Sequence, residues 1–182
     1  WICRGGEQCA QRRLRDSRIV LISIDTYSNL KNICVNLMKL RANAKINLTL
    51  DIVGKRPDGY HIIDSVFQSL SLCDEITVEK CDEILVSCDN NSLCDKSNIA
   101  YKSAQKFFEY TSAKGGASIY IKKHIPLSSG LGGGSADAAG VLLALDKIYN
   151  TKLTENELLK IAVSVGADVP FCLFGGAARV GG

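Results

Sequence analysis

Apolar and polar residues fall into a regular order from about position 38 of this 182-residue chain. Asn43–Val53 alternates strictly. Ala44, Ile46, Leu48, Leu50 and Ile52 share one side, and Lys45, Asn47, Thr49 and Asp51 the other. A period of two marks a strand with one buried face. Arg56-Pro57-Asp58-Gly59 predicts a turn, because proline presets φ and Asp and Gly accept tight-turn geometry. His61–Leu72 is apolar and β-branched and predicts a second strand, with two short strands at Glu75–Lys80 and Glu83–Ser87. The period then changes. Across Asn98–Tyr110, Ala100, Ala104, Phe107 and Phe108 recur at helical spacing, with Ser97 as the cap. Ala117–Lys122 alternates again. Ser135–Tyr149 predicts a helix with Ala138, Leu142, Leu145 and Ile148 or Tyr149 on one side. Thr154 and Glu157 have capping-box spacing for a helix ending near Val165, where Gly166 suits the terminal cap. Several strands, a helix, a strand, a loop and two helices predict a mixed α+β domain.

Residues 1–37 keep neither period, and Arg4, Arg12, Arg13, Arg15 and Arg18 cluster there. Met38 is the only methionine and stands at the start of the patterned region, so it is the expected natural start, with residues 1–37 a non-matching extension read from upstream sequence. The rival reading is an arginine-rich targeting peptide, for the plastid stroma for example; Glu7, Asp16 and Asp25 count against it.

Composition narrows the class. Hydrophobic residues make up 46% and charged residues 23%, as in a soluble globular protein and unlike a disordered one. A net charge of +3 gives no strong electrostatic case for a nucleic-acid or anionic-membrane partner. No apolar run approaches the roughly 20 residues of a membrane helix. The eight cysteines include no C-x-x-C pair, and His61 and His124 sit in no zinc-ligand spacing, so reduced thiols in a cytoplasmic protein are expected.

The candidate chemistry lies in Pro126-Leu127-Ser128-Ser129-Gly130-Leu131-Gly132-Gly133-Gly134-Ser135-Ala136-Asp137-Ala138-Ala139, between a predicted strand and a predicted helix. Four glycines in five residues let backbone N–H groups approach a ligand without Cβ obstruction. The following helix adds unpaired N–H groups and a positive dipole end. Together these suit phosphates. Ser129 and Ser135 add hydroxyls for a phosphate oxygen or a metal ion. The loop is no Walker A motif, because Gly134-Ser135-Ala136 carries no lysine, and its glycines do not match the dinucleotide fingerprint. The bland alternative is a glycine-rich hinge.

Pro126–Ala139 resembles the phosphate loop of the GHMP kinases. Ala44-Lys45-Ile46-Asn47-Leu48, Arg56–His61 and Gly166-Ala167-Asp168-Val169-Pro170-Phe171 resemble the 4-diphosphocytidyl-2-C-methyl-D-erythritol kinase branch of that family. The resemblance runs from Met38 to about Ala178. It implies a GHMP kinase amino-terminal domain with a fold similar to domain 2 of ribosomal protein S5. It also implies transfer of the ATP γ-phosphate to the 2-hydroxyl of the cytidyl substrate in non-mevalonate isoprenoid biosynthesis. Carried onto this sequence, Asp168 is the implied base and Lys45 its neighbour. Pro126–Ala136, Asn98 and Lys123 are implied at ATP, with Ser135 at magnesium. Asn47, Tyr60, His61 and Phe67 are implied at the cytidine diphosphate of the small-molecule substrate.

Arg179–Gly182 departs from the family pattern, and the chain is expected to be a fragment with exposed apolar surface and little or no activity alone. The competing functions are another GHMP kinase acting on mevalonate, homoserine or a sugar, a non-catalytic nucleotide- or RNA-binding module, and a nonfunctional reading frame.

Overall fold

The computed structural model describes residues 36–55, 61–89 and 97–181. Strands β1 (Leu37–Lys55), β2 (His61–Cys81) and β3 (Leu85–Cys88) come first, then helix α1 (Ile99–Thr111) and strand β4 (Gly116–Lys122). Helices α2 (Gly133–Tyr149), α3 (Glu155–Val165) and α4 (Val169–Phe174) follow, and β5 (Ala177–Gly181) closes the order. The strands form one sheet in the order β1-β2-β4-β3, with β5 also paired to β2. All pairings are antiparallel except β3 with β4. The expected α+β class is what forms. The predicted turn at Arg56–Gly59 and the extension at 1–35 lie outside the described residues.

α2 lies across β1 and β2, and α1 packs against α2. Leu40, Ala42 and Ala44 of β1, Ile76 and Val78 of β2 and Ile119 and Ile121 of β4 meet Val141, Leu142 and Leu145 of α2 in one buried cluster, which Phe107 of α1 completes. The helix sits close because residue 140 is glycine: a Cβ there would lie 2.7 Å from the Leu40 and Ile76 side chains. A second, smaller cluster joins Phe67, Phe171 and Ala178.

Several elements differ from expectation. The strands predicted at His61–Leu72 and Glu75–Lys80 are one strand, because β1 pairs with both stretches across a register shift between Asn43 and Lys45. Further shifts follow at Asn47/Thr49 and Ile52/Gly54. Each extra residue breaks the alternation of faces. Ala44 and Lys45 are therefore both buried in succession, and Ile46, Leu48, Leu50 and Ile52, expected inside, are exposed. The cap of α1 is Asn98, not Ser97: its side chain accepts from the Ala100 N–H at 2.8 Å. The capping box of α3 forms as expected, with the Thr154 N–H donating to Glu157 Oε2 at 2.8 Å. Gly166 ends that helix in extended backbone at φ −177, so no left-handed turn requires a glycine there. α2 starts two residues before Ser135, and α4 and β5 were not predicted. α4 begins with Pro170 in its first turn, where a missing N–H costs nothing. No helix among the described residues is long and apolar enough to cross a membrane.

Candidate active site

The glycine-rich loop leaves β4 and returns as α2. Gly132, the residue before α2, holds φ 70 in the left-handed region, and a Cβ there would lie 2.9 Å from Lys45 Cγ. Backbone shape and the lysine both demand glycine. Ser129 Oγ donates to the Pro126 carbonyl at 2.7 Å and so tightens the turn. The Lys45 N–H donates to the Leu131 carbonyl at 2.9 Å, which ties the loop to β1. The loop, from Pro126 to Ser135, lines a hollow of about 250 Å³ with Ile99, Lys123 and Ile125. The first N–H groups of α2 have no partners within the helix, and its positive dipole end lies here. That combination suits an anion. A broader hollow of about 550 Å³ lies elsewhere on the sheet, against Lys39, Arg41, Glu75, Tyr120 and Lys122, and brings no glycine arc or reacting pair together.

Beside the loop stands an ion pair. Lys45 Nζ lies 3.2 Å from Asp168 Oδ2 and donates to Asn47 Oδ1 at 2.8 Å. It also sits 4.8 Å from the centre of the Phe67 ring. The register shift after Asn43 turns Lys45 toward this side, and the junction between α3 and α4 delivers Asp168. A carboxylate can accept a hydroxyl proton, and an adjacent ammonium offsets negative charge that builds during phosphoryl transfer. Cys172 lies close by, but burial pushes its thiol up to about 12, with Asp168 pushing the same way and Lys45 opposing. It stays protonated and offers no nucleophile.

Comparison with known proteins bears on this arrangement. Residues 98–176 match the model of the GHMP kinases N terminal domain. The chain is 50% identical over 146 residues to the 4-diphosphocytidyl-2-C-methyl-D-erythritol kinase of Carboxydothermus hydrogenoformans, covering 80% of this chain and 51% of that protein. It is 48% identical over 143 residues to the enzyme of the same name from Clostridium beijerinckii, covering 78% of this chain and 51% of the relative. A crystal structure of 4-(cytidine 5'-diphospho)-2C-methyl-D-erythritol kinase superposes with a TM-score of 0.68 at 39% identity, over 80% of this chain and 52% of the other. The chain carries a GHMP kinase amino-terminal domain. It spans about half the length of the curated relatives it matches.

Within this GHMP domain, the structure brings the loop, Lys45, Asn47 and Asp168 together. Other expected site residues do not join them. Phe67 is 1% exposed and packs edge-to-face on Phe171 at 5.2 Å, so its ring supports Lys45 from within the fold and has no face left for a pyrimidine. The Asn98 side chain caps α1, and its neighbour Ile99 lines the hollow in its place. Tyr60 lies outside the described residues, and of His61 only the backbone pairing with Lys55 is described. Lys123 lines the hollow, but its ammonium is held between Asp74 and Asp137.

Asp74 and Asp137 were not among the expected site residues. Asp74 is fully buried in β2, and Asp137 is buried one turn into α2. Burial works to lower the Lys123 ammonium, but Asp137 and Asp74 outweigh it and hold it above its ordinary value. Burial pushes the Asp137 carboxyl up to about 7, against the pull of Lys123, with Asp74 adding to the rise. Two signals in the sequence point to these residues. Asp74 has the same parity as the inward-facing Ile76 and Val78, and Asp137 has helical spacing to Val141, Ala144 and Ile148. An acid at a core-facing position is a cue for a buried partner.

Proposed function

We propose that this GHMP domain serves ATP-dependent phosphorylation of the 2-hydroxyl of 4-diphosphocytidyl-2-C-methyl-D-erythritol, a step of non-mevalonate isoprenoid biosynthesis. The observation that carries this reading is the Lys45–Asp168 pair placed against the glycine-rich loop, with Lys45 bonded to the loop through its own N–H. The relatives at 48% and 50% identity support the choice of substrate.

In this reading the loop N–H groups and the start of α2 hold the ATP phosphates. Asp168 accepts the proton of the attacking hydroxyl, and Lys45 offsets charge on the transferring group. The glycine arc fits a triphosphate because no side chain fills it. The Ser135 hydroxyl is the candidate donor to the magnesium ion that accompanies the nucleotide; among the described residues no three His, Cys, Asp or Glu side chains gather as a metal site of their own. Asn47 stands beside the reacting pair, and Asn47, Tyr60 and His61 are assigned to the cytidine diphosphate. A charged, nucleotide-linked substrate supports a cytoplasmic setting.

The test is transfer of labelled γ-phosphate by a protein of the relatives' full length that carries this domain, and by the 182-residue chain itself. The expected result is transfer to the cytidyl substrate in the longer protein, with little or none in the shorter. Equal transfer to mevalonate or homoserine overturns the substrate assignment, and ATP hydrolysis without transfer to any alcohol overturns the kinase reading.

A further inference from the structure

Both ends of the glycine-rich loop are tied to one buried ionic cluster. Where the chain leaves β4, Asp74 Oδ1 accepts from the His124 N–H at 2.6 Å and the Ile125 N–H at 2.8 Å. Asp74 Oδ2 accepts from Lys123 Nζ. Where the chain enters α2, the same ammonium donates to Asp137 Oδ2 at 2.7 Å. Lys123 Nζ also lies 3.3 Å from where a Cβ on Gly133 would stand. One lysine thus spans the loop from beneath, with a carboxylate gripping each end.

The two carboxylates are not equivalent. A buried carboxylate needs its lone pairs satisfied. Asp74 has three donors, two of them from the first residues of the loop segment. Asp137 has one, and its Oδ1 is buried without a hydrogen-bond partner. Asp74 is therefore the anchor and Asp137 the secondary contact. A buried ion cluster is by itself weak support for stability. What this one does supply is geometry, because the backbone atoms it holds flank the phosphate arc.

We propose that Asp74 is a positioning residue for phosphate binding: through Lys123 and the His124 and Ile125 amides it holds Pro126–Gly134 in the arc that presents N–H groups to the nucleotide. The proposal rests on the loop being the nucleotide phosphate site. Asp74 touches no substrate and acts only through the loop.

The test uses the 182-residue chain with Asp74→Asn, which keeps the side chain's shape and removes its charge. Amide hydrogen exchange across residues 124–135 is measured without nucleotide, and affinities for ATP and for adenosine are measured by displacement of a fluorescent nucleotide. The expected result is at least tenfold faster exchange in the loop with α1 and α3 unchanged. ATP affinity falls at least tenfold, and adenosine affinity stays within twofold. Lys123→Arg, which retains the charge but alters donor geometry, is the second variant should Asp74→Asn not fold; it is expected to move the same loop amides and the same ATP-to-adenosine ratio, by less. Unchanged loop exchange, acceleration spread equally through α1 and α3, or equal weakening of ATP and adenosine overturns the proposal. A wild-type chain that binds adenosine but gains nothing from the phosphates overturns the loop reading itself, whereas wild-type ATP binding that the variants reproduce overturns only the role of Asp74.

Discussion

Lys45 and Lys123 are built from the same parts, a largely buried lysine facing aspartate, yet their surroundings differ. Lys45 faces one carboxylate, Asp168, whose side chain is 30% exposed. Lys123 faces two, Asp74 and Asp137, whose side chains are 0% and 4% exposed. An ion pair open on one side can exchange a partner for a ligand. A closed one cannot do so without breaking the fold, because leaving a charge unpaired in the interior is costly. Accessibility, more than residue type, separates the pair suited to chemistry from the cluster suited to holding shape.

That contrast breaks most clearly at Asp168. Asp168→Asn is expected to lower phosphate transfer in the longer protein by roughly 10³-fold, while urea unfolding of the domain shifts by no more than about 0.5 kcal/mol. A stability loss as large as the rate loss would make the two sites alike. Lys123→Met is expected to do the reverse. It leaves two buried carboxylates without their cation, and urea denaturation is expected to show a loss of about 3 kcal/mol. Phe67→Leu sharpens the boundary between them. As a buried support for Lys45, Phe67 should register in stability, by about 1.5 kcal/mol in the same denaturation, with cytidine diphosphate affinity unchanged within twofold. A loss of affinity with no loss of stability would return Phe67 to the substrate.

The smallest effect concerns Asp137. Its carboxyl is raised from the ordinary 3.8 to about 7 in the fold, so the folded chain holds a proton there that the unfolded chain releases. The stability this proton brings is fully present below about pH 4 and is lost as pH rises through 7. Asp137→Asn cannot titrate. Its stability relative to wild type is therefore expected to improve by about 1 kcal/mol between pH 6 and pH 7, read as a change in the difference in melting temperature. A constant difference would mean that Asp137 stays ionised throughout.

Much of this domain was legible because its signals are local. The loop's glycines, the Thr154–Glu157 box and the apolar side of α2 are all written within a few residues of one another. Lys45 and Asp168 were legible only through family resemblance, since 123 positions of sequence separate 45 from 168. The faces of β1 were misread because a strict alternation cannot report where a bulge will interrupt it. Dividing β2 near Cys73 then hid Asp74, since a residue placed in a connection carries no expectation of facing inward. The cluster around Lys123 unites positions 49 and 14 residues apart, and no short-range pattern encodes such a meeting.

β2 has one more consequence. Its last residues run through the large core at Ile76 and Val78, and its early residues carry Phe67 into the small cluster with Phe171 and Ala178. Three buried side chains are too few to order themselves, so the far end borrows its rigidity along 21 continuous residues of strand. Opening fluctuations should therefore start at the Asp64 end and die away toward Val78. The platform beneath Lys45 lies partway down that gradient, able to breathe locally while the phosphate loop, fastened to the stiff end through Asp74, keeps its form.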